Sequence, residues 1–119
     1  MTMETKQIVL EYLDIFFGDK FNPDILKPLL KEDFTFKGPL MTANSSDEFI
    51  AKIKTFGENI EMNGEIHKVV CDGNTVVVQY DFILPNNNSV CASEWYEIKD
   101  NKISKMHLFC DPKGFLTDF

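Results

Sequence analysis

The sequence predicts an α+β fold, a cone-shaped curved antiparallel sheet packed against three N-terminal helices in the order α-α-β-α-β-β-β-β. Three observations carry this expectation. Up to Ile60, apolar residues recur mostly at helical spacing, with one short alternating stretch between them. From Ile60 onward the period changes to two, with turn signals at Asp72-Gly73-Asn74, Pro85-Asn86-Asn87-Asn88 and Asp100-Asn101. Connections this short permit hairpins but not crossovers, so the last four strands should form an antiparallel meander.

Each element has its own local reason. Between Glu4 and Phe17, Ile8, Val9, Tyr12, Leu13, Ile15, Phe16 and Phe17 form a broad apolar stripe, and Gly18 follows where helices commonly stop. Asn22-Pro23-Asp24 supplies a cap, a proline at the first helical position and an acid at the positive end of the dipole, which predicts a short second helix to about Lys31. Phe34-Thr35-Phe36-Lys37 alternates as a strand and is broken by Gly38-Pro39. Ser45 and Glu48 make a capping box, and Phe49, Ile53, Phe56 and Ile60 recur at steps of four, three and four, predicting a third helix from Ser46 to about Asn59. The turn signals then delimit strands near 61–71, 75–84, 89–99 and 102–110.

The 119 residues suit one domain, residues 1–119, with enough apolar residues (44%, eleven of them Phe) for a substantial core. A net charge of −7 and the absence of any Lys/Arg cluster oppose nucleic-acid binding. Cys71, Cys91 and Cys110 are odd in number and widely spaced, which reads as small buried residues and not as a disulfide framework or zinc finger. No apolar run has the length of a signal peptide or membrane span, so no membrane association and a cytoplasmic location are expected. Three helices cannot fill a strongly bent sheet to its mouth, so a pocket is expected inside the cone.

The segments GDKFNPDILKPLLKEDFTFKGP, TVVVQYDFIL and YEIKDNKISKMHLFCDP, together with the order of elements, resemble the nuclear transport factor 2-like superfamily, in particular its SnoaL-like polyketide cyclase and ketosteroid isomerase branch. The resemblance covers nearly the whole chain. It implies a cone-shaped α+β barrel, often a homodimer through the outer sheet face, with an internal pocket for a small, mostly apolar molecule. It does not imply one activity, because such proteins include isomerases, cyclases, epoxide hydrolases, dehydratases and non-catalytic members.

In the strand 75–84, Val76, Val78, Tyr80, Phe82 and Leu84 share one apolar face, which should be the inner one. A five-residue loop from Pro85 to Ser89 would set Tyr80 opposite Glu94 and Val78 opposite Tyr96, turning Glu94 into the cone. The expected pocket walls are Tyr12 from helix one, Phe49 and Ile53 from helix three, and Val78, Phe82, Tyr96, Met106 and Leu108 from the sheet. A carboxyl so enclosed loses hydration and becomes an acid or base usable near neutrality. The resemblance places Glu94 where ketosteroid isomerases keep an acid in their oxyanion hole. Tyr80, Tyr96 or Tyr12 would be its hydrogen-bond donors. The plainer alternative is a solvated strand glutamate.

His107 has two possible positions. A regular ladder from a two-residue turn at Asp100-Asn101 pairs it with Glu94 as a candidate acid–base couple. A bulge near Ser104-Lys105 instead turns Met106, Leu108 and Cys110 inward and leaves His107 outside with Trp95 and Phe109, a patch suited to a dimer interface. The apolar triplet favours the bulge. The proton-shuttling carboxylate that the isomerase branch keeps before the proline ending its first strand is replaced here by Gly38, which puts steroid-isomerase chemistry in doubt. The family's helix-one tyrosine aligns one residue out of step with Tyr12, for which a core role is the plainer reading. The histidines and cysteines show no metal-ligand spacing, so no metal and no cofactor are expected. Two functions follow: a cofactor-independent isomerase, cyclase or dehydratase acting on a small hydrophobic or polycyclic molecule, or a non-catalytic homodimeric binding or interaction module.

Overall fold

The computed structural model describes residues 4–18, 22–57, 63–84 and 88–113. Helix α1 spans Thr5–Phe16, a 3₁₀ helix Pro23–Leu29, strand β1 Leu30–Lys37, strand β2 Thr42–Ala43 and helix α2 Ser46–Gly57. Strands β3 (Asn63–Asp72), β4 (Thr75–Ile83), β5 (Ser89–Lys99) and β6 (Lys102–Cys110) follow. The expected extension of α2 to Asn59, the strand start at 61–62 and the turn residues 85–87 lie outside the described residues, as does the side chain of Phe56.

Local signals account for most boundaries. The Ser45 hydroxyl accepts the Glu48 N–H at 3.1 Å and so caps α2, while the Glu48 carboxylate accepts from the Asn44 N–H instead of closing the box on Ser45. Asn22 caps the second helix through the Asp24 N–H at 3.1 Å. That helix is 3₁₀ and ends at Leu29, because Pro28 lies within it and removes a donor. The chain freed beyond Leu29 goes extended, so β1 begins at Leu30, four residues before the alternating stretch that marks it in the sequence.

The sheet is mixed and not wholly antiparallel. Its order is β2-β1-β6-β5-β4-β3, and β1 runs parallel to β6, with Phe36 beside Met106 and Lys37 beside His107. Hairpin signals specify only sequential pairs. The β1–β6 partnership joins strands some 70 residues apart, and it forms because the meander leaves one edge of β6 open. The register shifts between Ile66 and Lys68 and between Glu97 and Ile98 each carry one extra residue, a bulge of the kind that bends a strand, and the β1–β6 ladder is irregular between Leu30 and Thr35.

Two register expectations separate here. Tyr80 faces Ala92, Val78 faces Glu94 and Val76 faces Tyr96, two residues away from the expected pairing. The loop is shorter than assumed, because the Leu84 N–H reaches the Asn88 carbonyl at 2.8 Å and Ile83 already pairs with Ser89. A slip of two leaves every side chain on its original face, so Glu94 still points inward. In the β5–β6 hairpin, Asp100 (φ 54°) and Asn101 (φ 63°) form a two-residue turn of the kind that fits strand twist. Ile98 pairs with Ile103 but Glu97 with Lys105, so the extra residue is Ser104.

The core lies between the inner sheet face and the helices, with Ile8, Val9, Tyr12 and Leu13 from α1, Leu26 from the 3₁₀ helix, and Phe49 and Ile53 from α2. Cys71 and Cys91 are exposed and Cys110 is partly buried, against the expectation of three buried thiols: Cys91 pairs with Asp81 on the outer face, and Cys71 stands beside Val76 but near the end of the edge strand β3. Among the described residues no helix is long and apolar enough to cross a membrane.

Candidate functional site

Glu94 lies at the middle of β5, between Val78 on β4 and Leu108 on β6, and is 4% exposed. The hydroxyl of Tyr96, two positions along the same strand and on the same face, donates to Oε1 of Glu94. The Tyr80 hydroxyl donates to the same oxygen at 3.2 Å. Tyr80 reaches it diagonally, across small Ala92, which is a consequence of the register described above. Tyr12 on α1 packs edge-on against Tyr96 with ring centroids 6.0 Å apart. Among the described residues no hydrogen bond reaches Oε2 of Glu94.

Burial dominates the electrostatics. It lifts the Glu94 carboxyl from its ordinary value of 4.5 to about 7, against the opposing pull of the hydrogen bonds from Tyr96 and Tyr80. Burial, reinforced by the negative charge on Glu94, pushes Tyr12, Tyr80 and Tyr96 well above the usual phenol range, so these hydroxyls stay donors at neutral pH. The Cys110 thiol is raised to about 11 by burial, then by Glu94 and Asp111.

A hollow of about 70 Å³ adjoins this carboxyl. Tyr12 and Phe16 line it from α1, Phe49 and Ile53 from α2, Phe36 from β1, Tyr80 and Phe82 from β4, Glu94 from β5, and Leu108 and Cys110 from β6. The turn Gly38-Pro39-Leu40-Met41 completes the wall, and Leu40 is also 44% exposed, so the hollow meets solvent at this turn. Sequence reasoning missed this segment, Phe16, Phe36 and Cys110. The Gly38-Pro39 break carried a signal, but only the fold shows that the turn bends over the cone.

Of the expected pocket residues, Tyr12, Phe49, Ile53, Phe82 and Leu108 reach the hollow. Val78, Tyr96 and Met106 do not line it; they are buried in the core, Tyr96 reaching Glu94 through its hydroxyl. His107 does not stand with Glu94. The Ser104 bulge pairs it with Trp95 on the outer face, where its ring lies 4.0 Å from that of Phe109. It therefore cannot serve as the catalytic partner of Glu94. Gly38 occupies the place of the second carboxylate expected from the resemblance, and a Cβ there would meet the Phe36 ring at 2.9 Å; among the described residues Glu94 is the one acid lining the hollow. Among the described residues no group of three His, Cys, Asp or Glu is placed to hold a metal ion.

The SnoaL-like domain profile matches residues 9–106. The chain belongs to the SnoaL-like domain family. Solved structures repeat this fold over most of the chain. An NTF2-like protein of unknown function from Cytophaga hutchinsonii is 26% identical, with 98% of this chain and 97% of that chain covered and a TM-score of 0.81. A protein provisionally called a SnoaL-like polyketide cyclase, from Jannaschia sp. CCS1, shares 16% identity over 98% and 94% of the two chains at a TM-score of 0.75. An epoxide hydrolase of LEH-like type from M. tuberculosis shares 15% identity over 94% and 86% at 0.78. The last two likenesses concern the fold alone. Among curated proteins, none matches this SnoaL-like chain.

Proposed function

We propose that the hollow binds a small, mostly apolar molecule whose polar end meets Glu94, and that Glu94 transfers a proton to or from it without a cofactor. The observation that carries this reading is the state of Glu94: a carboxyl 4% exposed, held by two tyrosine hydroxyls on one oxygen, beside an apolar hollow, with its titration moved to about 7. An acid that titrates near the working pH is best matched to general acid–base catalysis. In the protonated form, the Oε2–H would donate to an oxygen gaining charge; in the ionised form, the same oxygen would accept a proton from carbon. With a single acid, both halves of an isomerisation or dehydration fall to Glu94, the tyrosines holding it in place. A hollow of about 70 Å³ favours ligands smaller than a polycycle. That is about five times the room one water needs.

Deuterium exchange at the α-carbon of cyclopentanone in D₂O, followed by NMR, tests the role. The wild type should accelerate exchange and Glu94→Gln should lower that acceleration ~10²-fold or more while keeping the wild-type spectrum of the fold. Equal exchange rates in the two proteins would remove Glu94 from the chemistry.

A second reading, a non-catalytic homodimer joined through the outer sheet face, is favoured by one row of residues. Val70, Val77, Trp95 and His107 lie side by side across β3, β4, β5 and β6, with the Phe109 ring tilted against His107. Trp95 and Phe109 are each 49% exposed, an apolar surface that a monomer rarely leaves in water. Sedimentation should give twice the 13.7 kDa chain mass, and Trp95→Glu should halve it; a wild-type monomer at micromolar concentration sinks this reading.

A further inference from the structure

We propose that the hollow binds small alkylammonium ions, with the Glu94 carboxylate as their counter-ion and the surrounding aromatic rings as their walls. This rests on the reading that the hollow admits a ligand, and it goes beyond that reading by naming a ligand class defined by charge.

The geometry supplies half of an ion pair. Glu94 has hydrogen-bond donors on Oε1 but, among the described residues, no counter-charge: no Lys, Arg or His of these lines the hollow. Two phenolic donors on one oxygen stabilise the anion without neutralising it, and Oε2 is left for a ligand. A charge in so apolar a setting interacts strongly with an opposite charge brought beside it, since little water intervenes to screen the pair.

The walls suit the same class. Six of the lining residues are aromatic (Tyr12, Phe16, Phe36, Phe49, Tyr80 and Phe82), and aromatic faces attract alkylammonium groups while their edges accommodate methyl groups. A neutral ligand gains the apolar contact but neither electrostatic contribution. At longer range, 19 acidic against 12 basic residues favour the approach of cations over anions.

The pairing makes binding dependent on pH. The groups facing Glu94 are Tyr12 from α1, Tyr80 from β4, Tyr96 from β5 and Cys110 from β6, with Asp111 next to Cys110; α2 and β1 present Phe49, Ile53 and Phe36. The tyrosines and Cys110 are held protonated across the neutral range, so Glu94 is the group that switches. Ammonium ions select its ionised form and lose affinity as pH falls below about 7, whereas neutral acceptors such as ketones select its protonated form and lose affinity as pH rises.

The test compares tert-butylammonium with its neutral isostere tert-butanol, and includes cyclopentanone, by NMR titration of the whole protein at pH 8 and pH 5.5. Tert-butylammonium should bind at least tenfold more tightly than tert-butanol at pH 8, weaken tenfold or more at pH 5.5, and lose its advantage over tert-butanol in Glu94→Gln. If tert-butanol or cyclopentanone binds and tert-butylammonium binds no better at pH 8, the charge-defined class is wrong and the binding hollow stands. If none of the three shifts resonances of the lining residues at either pH, both readings fall. An ammonium preference that persists in Glu94→Gln would place the cation outside the hollow and overturn the proposal.

Discussion

Tyr96 donates its hydroxyl hydrogen to Oε1 of Glu94, two residues earlier on the same strand and the same face. A buried carboxyl is thus served by its own strand, before any ligand arrives. Burial and hydrogen bonding oppose each other at this group, and burial wins.

The first consequence is a pH-dependent stability. The folded-state value of Glu94, about 7, lies above the 4.5 of an exposed glutamate, so the native state binds the proton more tightly than the unfolded chain. Its stabilising contribution is fully present below about 4.5 and is lost as pH rises through about 7. Relative to Glu94→Gln, which cannot titrate, the wild type should lose about 3 kcal/mol over this window, read from urea unfolding at several pH values. Parallel curves for the two proteins would contradict the raised value.

Removing the hydroxyl donors tests the opposing half. Both hydrogen bonds favour the ionised form, Tyr96 more than Tyr80. Tyr96→Phe should therefore move the Glu94 titration midpoint upward, and Tyr80→Phe should move it upward by less. A ¹³C-NMR titration of the carboxyl reads both, and a downward movement in either variant would refute the assignment of these bonds.

Gly64 makes a packing prediction. A Cβ at this position would meet three atoms of the Phe17 ring at 2.5 to 2.7 Å. That ring is itself held against Tyr80 and Phe82, with centroids 5.3 and 5.9 Å away, so it has little room to yield. Gly64→Ala should cost about 1–3 kcal/mol in urea unfolding. Gly73→Ala provides the comparison: at φ +59° with open space around it, only backbone strain of about 1 kcal/mol is expected.

Cysteine reactivity reports on the hollow. Cys71 and Cys91 are exposed, whereas Cys110 lines the hollow with its thiol raised to about 11. Labelling with a disulfide reagent at pH 8 should therefore proceed in one fast phase of two thiols and one slow phase, the slow one absent in Cys110→Ser. A ligand seated in the hollow should slow that phase further. Three equally fast thiols would show that Cys110 is open to solvent.

Most of the elements and their faces were legible in the chain, although the two-residue strand β2 left no signal there. Capping residues, prolines and hairpin turns act over a few positions, so Ser45, Pro23 and Asp100-Asn101 mark their boundaries whatever the rest of the chain does. Alternation in β4 and β5 placed Tyr80 and Glu94 on the inner face, and a register two residues from the expected one left that conclusion intact, because side chains on a strand repeat every two. The alternation of Met106, Leu108 and Cys110 favoured the bulge that Ser104 makes, whereas the parallel β1–β6 pair and the seating of the Gly38–Met41 turn over the hollow emerge only in the folded chain. Both of the latter depend on contacts between segments distant in the chain, whose free energy comes from filling shared space and not from any local preference.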